Sequence, residues 1–156
     1  MTQTPVEVLR LATHDPRLAL PSHETDGSAG MDLRACLAFD DREKGLILPP
    51  LGRVLVPTGL ALALPPDHEG QVRPRSGLAV RHGITVLNAP GTIDSDYRGE
   101  VKVPLINLGE RNYTICHGDR IAQLVVAPYV RVMLQEVSAL TDTDRGAGGF
   151  GSTGQG

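Results

Sequence analysis

The sequence predicts an all-β domain with one short helix, and three observations carry that expectation. Apolar residues recur in short runs, some with the alternation of a half-buried strand, as in Met31-Asp-Leu-Arg-Ala35. Val, Leu, Ile and Ala must build the core, because only 3% of residues are aromatic and Trp is absent. Glycine (18) and proline (12) are spread along the chain, as many short strands and tight turns require. At 156 residues, 40% of them hydrophobic, the chain suits one compact domain.

Charge narrows the partners. The formal charge is −3, with Arg and Lys scattered among acids, which argues against a nucleic-acid polymer as ligand. A small phosphorylated ligand is compatible, because a few placed arginines and a metal ion can hold one. No apolar run approaches the roughly 20 residues of a membrane-spanning helix, so no membrane association is expected. No basic segment followed by an apolar one opens the chain. Cys36 and Cys116 lie far apart, outside any Cys-x-x-Cys or Cys/His pattern. They are expected to be free, buried or half-buried thiols of a cytoplasmic protein.

Taken in order, residues 6–10 start like a strand, and residues 14–27 form a polar loop broken by Pro16, Pro21 and Gly27. In residues 29–35 the alternation places Asp32 and Arg34 on one face. Two readings apply there: an exposed ion pair, worth about 0–1 kcal/mol, or a pair pointing into a site. A charged turn over residues 40–45 leads to a strand over 46–48, stopped by Pro49-Pro50. Residues 53–56 and 58–64 read as two strands divided by Pro57, with Gly59 as a bulge candidate. A further strand over 68–73 runs into Pro74-Arg-Ser-Gly-Leu-Ala-Val-Arg-His-Gly83. Here Ser76 suits an N-cap and Gly83 the left-handed residue that ends a helix of under two turns. Arg75 and Ser76 beside such a helix start would suit a phosphate.

The densest stretch is Asn88-Ala-Pro-Gly-Thr-Ile-Asp-Ser-Asp-Tyr-Arg-Gly99. It joins apolar runs over 84–87 and 101–106, so a hairpin is expected, its tip carrying an amide, acids and an aromatic ring. Strands over 113–116 and 120–127 follow. Gln123 stands among apolar neighbours of the second and needs hydrogen-bond partners, in the fold or in a ligand. Residues 130–134 and 136–137 read as a last strand. From residue 142 the chain turns glycine-rich, with Arg145, Phe150, Ser152 and Thr153 as its functional side chains. Such backbone can approach a phosphate closely.

Five of these stretches, residues 29–35, 74–79, 88–100, 118–123 and 145–154, resemble in order and spacing the five motifs of the homotrimeric-type deoxyuridine triphosphate nucleotidohydrolase (dUTPase) family. The resemblance runs from about residue 25 to the C-terminus. It implies a jelly-roll-like β barrel over residues 1–141, with residues 142–156 an arm exchanged within a homotrimer. Each of three sites would draw on three chains. The implied reaction is hydrolysis of dUTP to dUMP and pyrophosphate by water attack on the α-phosphorus. That limits uracil in DNA and supplies dUMP for thymidylate synthesis.

By the same resemblance, Asp94 would be the general base. Asn88, with the backbone at Gly91, Thr92 and Ile93, would read the uracil edge, and Tyr97 would pack under the deoxyribose. Arg75, Ser76, Gly77 and Gln123 match phosphate-contacting positions, and Lys102 a substrate-contacting one. Arg145, Phe150, Ser152 and Thr153 match the closing arm, with Phe150 stacking on uracil. The implied cofactor is Mg²⁺ bound to the triphosphate, with Asp32 touching it only through water. Two rivals are a dCTP deaminase of the same fold and a non-catalytic trimeric dUTP sensor. Gly77 after Arg75-Ser76 argues against the first, and an intact Asp94 against the second.

Overall fold

The computed structural model describes residues 4–149. Its strands in chain order are β1 (Glu7–Arg10), β2 (Met31–Arg34), β3 (Leu46–Leu48), β4 (Arg53–Ala63) and β5 (His68–Arg73). After the one α-helix among the described residues, α1 (Ser76–His82), come β6 (Ile84–Val86), β7 (Gly91–Ile93), β8 (Glu100–Asn107), β9 (Tyr113–Ile115) and β10 (Arg120–Pro128). The charged turn contains one 3₁₀ turn, Phe39–Asp41.

The strands build two four-stranded sheets, ordered β1-β4-β8-β6 and β2-β10-β5-β7, and a two-stranded β3-β9 pair. All named pairings are antiparallel. Both large sheets feed one core: Val56, Val103, Leu105 and Ile84 from the first meet Leu33, Val72, Ile93 and Leu124 from the second. Leu48 and Ile115 of the small pair close it. The layout is jelly-roll-like, and no ladder among the described residues closes the sheets into a continuous barrel. Strand β8 shows the logic: Val101, Val103, Leu105 and Asn107 point inward, while Lys102, Pro104 and Ile106 face outward.

Asn107 is a polar residue of the core, fully buried and fully partnered. Its amide donates to the Leu48 and Arg111 carbonyls at 2.9 and 2.8 Å and accepts from Gly109 N–H at 2.8 Å. Asp15 anchors the N-terminal loop in the same way. Its buried carboxylate accepts from Arg17, Arg42 and His117 at 2.7, 3.1 and 3.1 Å. The Arg17 side chain and backbone N–H, helped by His117, hold the Asp15 carboxyl well below the ordinary carboxylate range.

Four expectations need correction. Pro57 does not divide two strands: β4 runs through it, with Pro57 opposite Lys102. It is tolerated because this half of β4 pairs only with β8, and β1 pairs only with residues 60–63, so no ladder partner needs the missing N–H. The expected hairpin is split. β6 pairs with β8, but the stretch between them sends β7 to the opposite sheet, against β5. Residues 130–137 form no strand and are exposed. Cys36 is buried and accepts a hydrogen bond from Asp15 N–H, but Cys116 is exposed; both thiols are free. Gly59 does mark a bulge, with φ of 68° at a register shift between Pro57 and Ala61.

Candidate active site

Two clefts collect the residues that the sequence singles out, and they share no lining residue. The first, about 450 Å³, lies where β7 crosses toward β8. It is lined by Asn88, Gly91, Thr92, Ile93, Asp94, Tyr97 and Lys102, with Leu55, Val72, Glu100, Val101 and Pro104. β7 is the element that positions them. Its alternation buries Gly91 and Ile93 and leaves Thr92 exposed.

Gly91 has a steric reason to be glycine. A Cβ there would stand 3.1 Å from Asn88 Nδ2 and 3.4 Å from Val72 Cβ. The Asn88 amide therefore lies over a bare backbone, and it makes no hydrogen bond among the described residues. Asp94 follows directly. Its backbone carbonyl accepts from Tyr97 N–H at 3.1 Å, closing a turn, while its exposed carboxylate enters no ion pair among the described residues. Tyr97 is fixed as a wall: its hydroxyl donates to the Glu100 carbonyl at 3.0 Å. The ring lies so close to Gly99 that a Cβ there would run into the Tyr97 hydroxyl. Lys102 Nζ stands 3.4 Å from Glu100 Oε2.

The second cleft, about 480 Å³, lies along β2, β10 and the end of β5. Asp32, Arg75 and Gln123 line it, joined by Arg73, Arg120, Glu24, Ser28, Ala29, Gly30 and Val125. Asp32 does not pair with Arg34, whose guanidinium donates to the Gly118 carbonyl at 3.0 Å. Instead one Asp32 oxygen accepts from Arg75 Nε at 2.9 Å and the other from Arg120 Nη1 at 3.1 Å. Arg75 also donates to the Arg120 carbonyl at 3.2 Å. Gln123 stands opposite Asp32 on one side and Arg73 on the other. Gly30 gives it room, since a Cβ there would come within 3.2 Å of Gln123 Oε1.

Ser76 and Gly77 open α1 directly after Arg75. The cap position belongs to Arg75, without a side-chain cap bond, so Ser76 is the first helical residue rather than the N-cap. Gly83 ends the helix in the left-handed conformation, at φ 67°. Arg145 lies in the exposed C-terminal segment, where Nε donates to the Gly148 carbonyl at 2.9 Å, and it lines neither cleft. Phe150, Ser152 and Thr153 lie outside the described residues. Sequence reasoning missed Arg73, Arg120 and Glu100. Alternation along β5 places Arg73 on the face of Gln71, but nothing local marks either arginine as lining a cleft.

As a test of a metal site, no group of three or more His, Cys, Asp or Glu side chains stands together among the described residues. Each Asp32 oxygen already accepts a guanidinium N–H, which leaves lone pairs for water but not a cage for a bare cation. This donor set fits an ion that arrives on a polyphosphate.

An all-β sandwich with one acid-and-amide cleft and one arginine-rich cleft defines a protein that handles a small phosphorylated ligand. The comparisons give that class a family. The sequence model of the dUTPase family matches residues 17–154. A protein of Anaeromyxobacter sp. (strain Fw109-5), a deoxyuridine 5'-triphosphate nucleotidohydrolase, is 59% identical over 150 residues, covering 96% of this chain and 97% of the relative. The chain belongs to the dUTPase family. Among solved structures, the Staphylococcus bacteriophage 80alpha dUTPase with dUPNHPP superposes with a TM-score of 0.83 at 23% identity, covering 98% of this chain and all of the other. A mutant dUTPase from phage phi11 of S. aureus, described with a coordinated structural Mg(II) ion, gives 0.72 at 20% identity, covering 87% of this chain and 98% of the other. These two likenesses bear on the fold. No helix among the described residues is long and apolar enough to cross a membrane.

Proposed function

We propose that this chain hydrolyses dUTP to dUMP and pyrophosphate, with chemistry in the first cleft and the phosphate grip in the second. The observation that carries this reading is that the two ends of β7 bring to one cleft an Asp94 carboxylate and an Asn88 amide with no side-chain partner among the described residues, the amide lying over bare Gly91. Asp94 takes a proton from a water whose oxygen attacks the α-phosphorus. The bond from that phosphorus to the oxygen bridging toward the β-phosphorus breaks, and pyrophosphate leaves with the bonding pair.

Asn88 and the backbone of residues 91–93 read the uracil edge. Cytosine presents the opposite donor and acceptor there and leaves buried groups unpaired, the costly kind of mismatch. Tyr97, held against Gly99 and Glu100, leaves no room for a 2′-hydroxyl. Arg75, Ser76, Gly77 and Gln123 hold the phosphates, and Lys102 contacts substrate at the rim of the first cleft. Bound to the triphosphate, Mg²⁺ would offset charge on the phosphate oxygens, with Asp32 reaching its waters.

The two clefts of one chain share no lining residue, which supports sites assembled between the chains of a homotrimer. The first cleft of one chain then faces the second cleft of its neighbour, and residues 142–156 of a third chain close the site through Arg145, Phe150, Ser152 and Thr153. The exposed run of residues 129–140 beyond β10 supports an arm that leaves its own body. Two free thiols fit a cytoplasmic location.

The test is pyrophosphate release from dUTP with Mg²⁺, beside dCTP, dTTP and UTP. Release from dUTP alone is expected. Release from several nucleotides would overturn the reading of Asn88 and Tyr97. Binding of dUTP without turnover of any would make the chain a sensor.

A further inference from the structure

Three arginines line the second cleft, and their charges are not equivalent. Arg75 and Arg120 share Asp32, so a carboxylate offsets part of their charge. Arg73 has no carboxylate within ion-pair distance among the described residues. Its guanidinium donates instead from Nε at 3.0 Å and Nη2 at 2.6 Å to the neutral amide oxygen of Gln71. Gln71 donates in turn from Nε2 to Glu69 Oε1 at 2.7 Å, which fixes the end of the amide that faces Arg73.

Glu69, Gln71 and Arg73 are alternate residues of β5 and share one face of the sheet, with Gln123 opposite Arg73 on β10. A neutral amide orients the guanidinium without cancelling its charge. A guanidinium carries five N–H donors, so those not given to Gln71 stay open to the cleft.

We propose that Arg73 is a further substrate-binding residue: held by Gln71 and Glu69, it offers the second cleft a cation for the part of the polyphosphate beyond the α-phosphate. The α-phosphate must lie at the water that Asp94 activates, so the outer phosphates are the part that reaches the arginines. The inference rests on the reading of the second cleft as the phosphate grip.

The test compares dUTP turnover and dUMP product inhibition in the parent, Arg73→Gln and Gln71→Leu. Loss of a charged hydrogen bond predicts a rise of about tenfold in KM for dUTP in Arg73→Gln. As binding common to ground and transition states, it should leave kcat within about twofold. Inhibition by dUMP, which lacks the outer phosphates, should not change, while inhibition by inorganic triphosphate should weaken. Gln71→Leu keeps the charge and frees its orientation, so its KM should fall between the other two.

An unchanged KM in Arg73→Gln would make Arg73 a solvated surface residue and overturn the proposal. Equal weakening of dUTP and dUMP would overturn it too, as would a fall in kcat at constant KM. If Arg73→Gln does not fold, Gln71→Leu decides: a raised KM supports the role and an unchanged one overturns it. A parent that leaves dUTP intact would instead sink the reading of the whole site, before any variant is needed.

Discussion

The two clefts are built by opposite means. In the first, backbone sets the geometry: a short strand, a turn closed by Tyr97 N–H on the Asp94 carbonyl, and two glycines that let side chains lie on bare chain. The Asp94 carboxylate and the Asn88 amide, which the proposed reaction uses, have no protein partner among the described residues. In the second, side chains set the geometry. Asp32 holds two arginines, and a glutamine holds the third, before any ligand arrives. Open groups mark where a ligand must supply the partner. Paired ones mark where the protein has already fixed the donors and a ligand needs only to fit them.

The sharpest way to break this comparison is Asp94→Asn. It should lower kcat by about 10²–10⁴-fold, the usual contribution of a positioned base. Affinity for a non-hydrolysable dUTP analogue, measured by calorimetry, should stay near the parent's. Parent-like turnover would remove the chemistry from the first cleft. Next in size is truncation before Arg145. A folded oligomer with little activity is expected by light scattering and pyrophosphate release, because neither sheet uses described residues beyond Pro128.

Asp32→Asn should act only on the second cleft. It unties two arginines at once, so KM for dUTP should rise about tenfold or more, as loss of bonds to charged groups implies. The preference for dUTP over dCTP should stay unchanged. A shift in that preference would mean the clefts are not independent. The smallest effect on catalysis belongs to Asp15→Asn, which lies outside both clefts. The folded carboxyl is depressed below its ordinary value of 3.8, so its contribution to stability is full above that pH. It is lost as pH falls toward the lower folded value. Melting temperature should therefore drop in the variant at neutral pH, and the gap to the parent should narrow below pH 3.8.

Alternation and turn residues were enough to place β1, β2, β3, β5, β9 and most of β10 within a residue or two. They carry period, not partner. Nothing in residues 84–106 shows that the middle of the stretch crosses to the other sheet, because a strand's face can be read locally and its neighbour cannot. The same limit hid the grip on Asp32, whose partners lie 43 and 88 residues away. Pro57 misled for a related reason. Whether a proline breaks a strand depends on which edge is paired there, and that is a tertiary fact. The run after Pro128 is apolar enough for a strand, but it pairs with no strand among the described residues. Asp94, Asn88, Arg75 and Gln123, which the structure places along the two clefts, are singled out by ordered motifs, not by periodicity.

Glu100 gives the bulge at Gly59 a wider meaning. Its carboxylate accepts the Gly59 N–H at 2.8 Å, and its own carbonyl receives the Tyr97 hydroxyl. One residue thus splices the kink of a long strand to the Tyr97 wall of the first cleft. A side chain at Gly59, which lines neither cleft, would meet His14 Cα at 2.9 Å at a positive φ, so a change there should lower stability and, through Glu100, loosen discrimination against UTP together. The enzyme's fidelity toward ribose would then be written partly in the curvature of its scaffold.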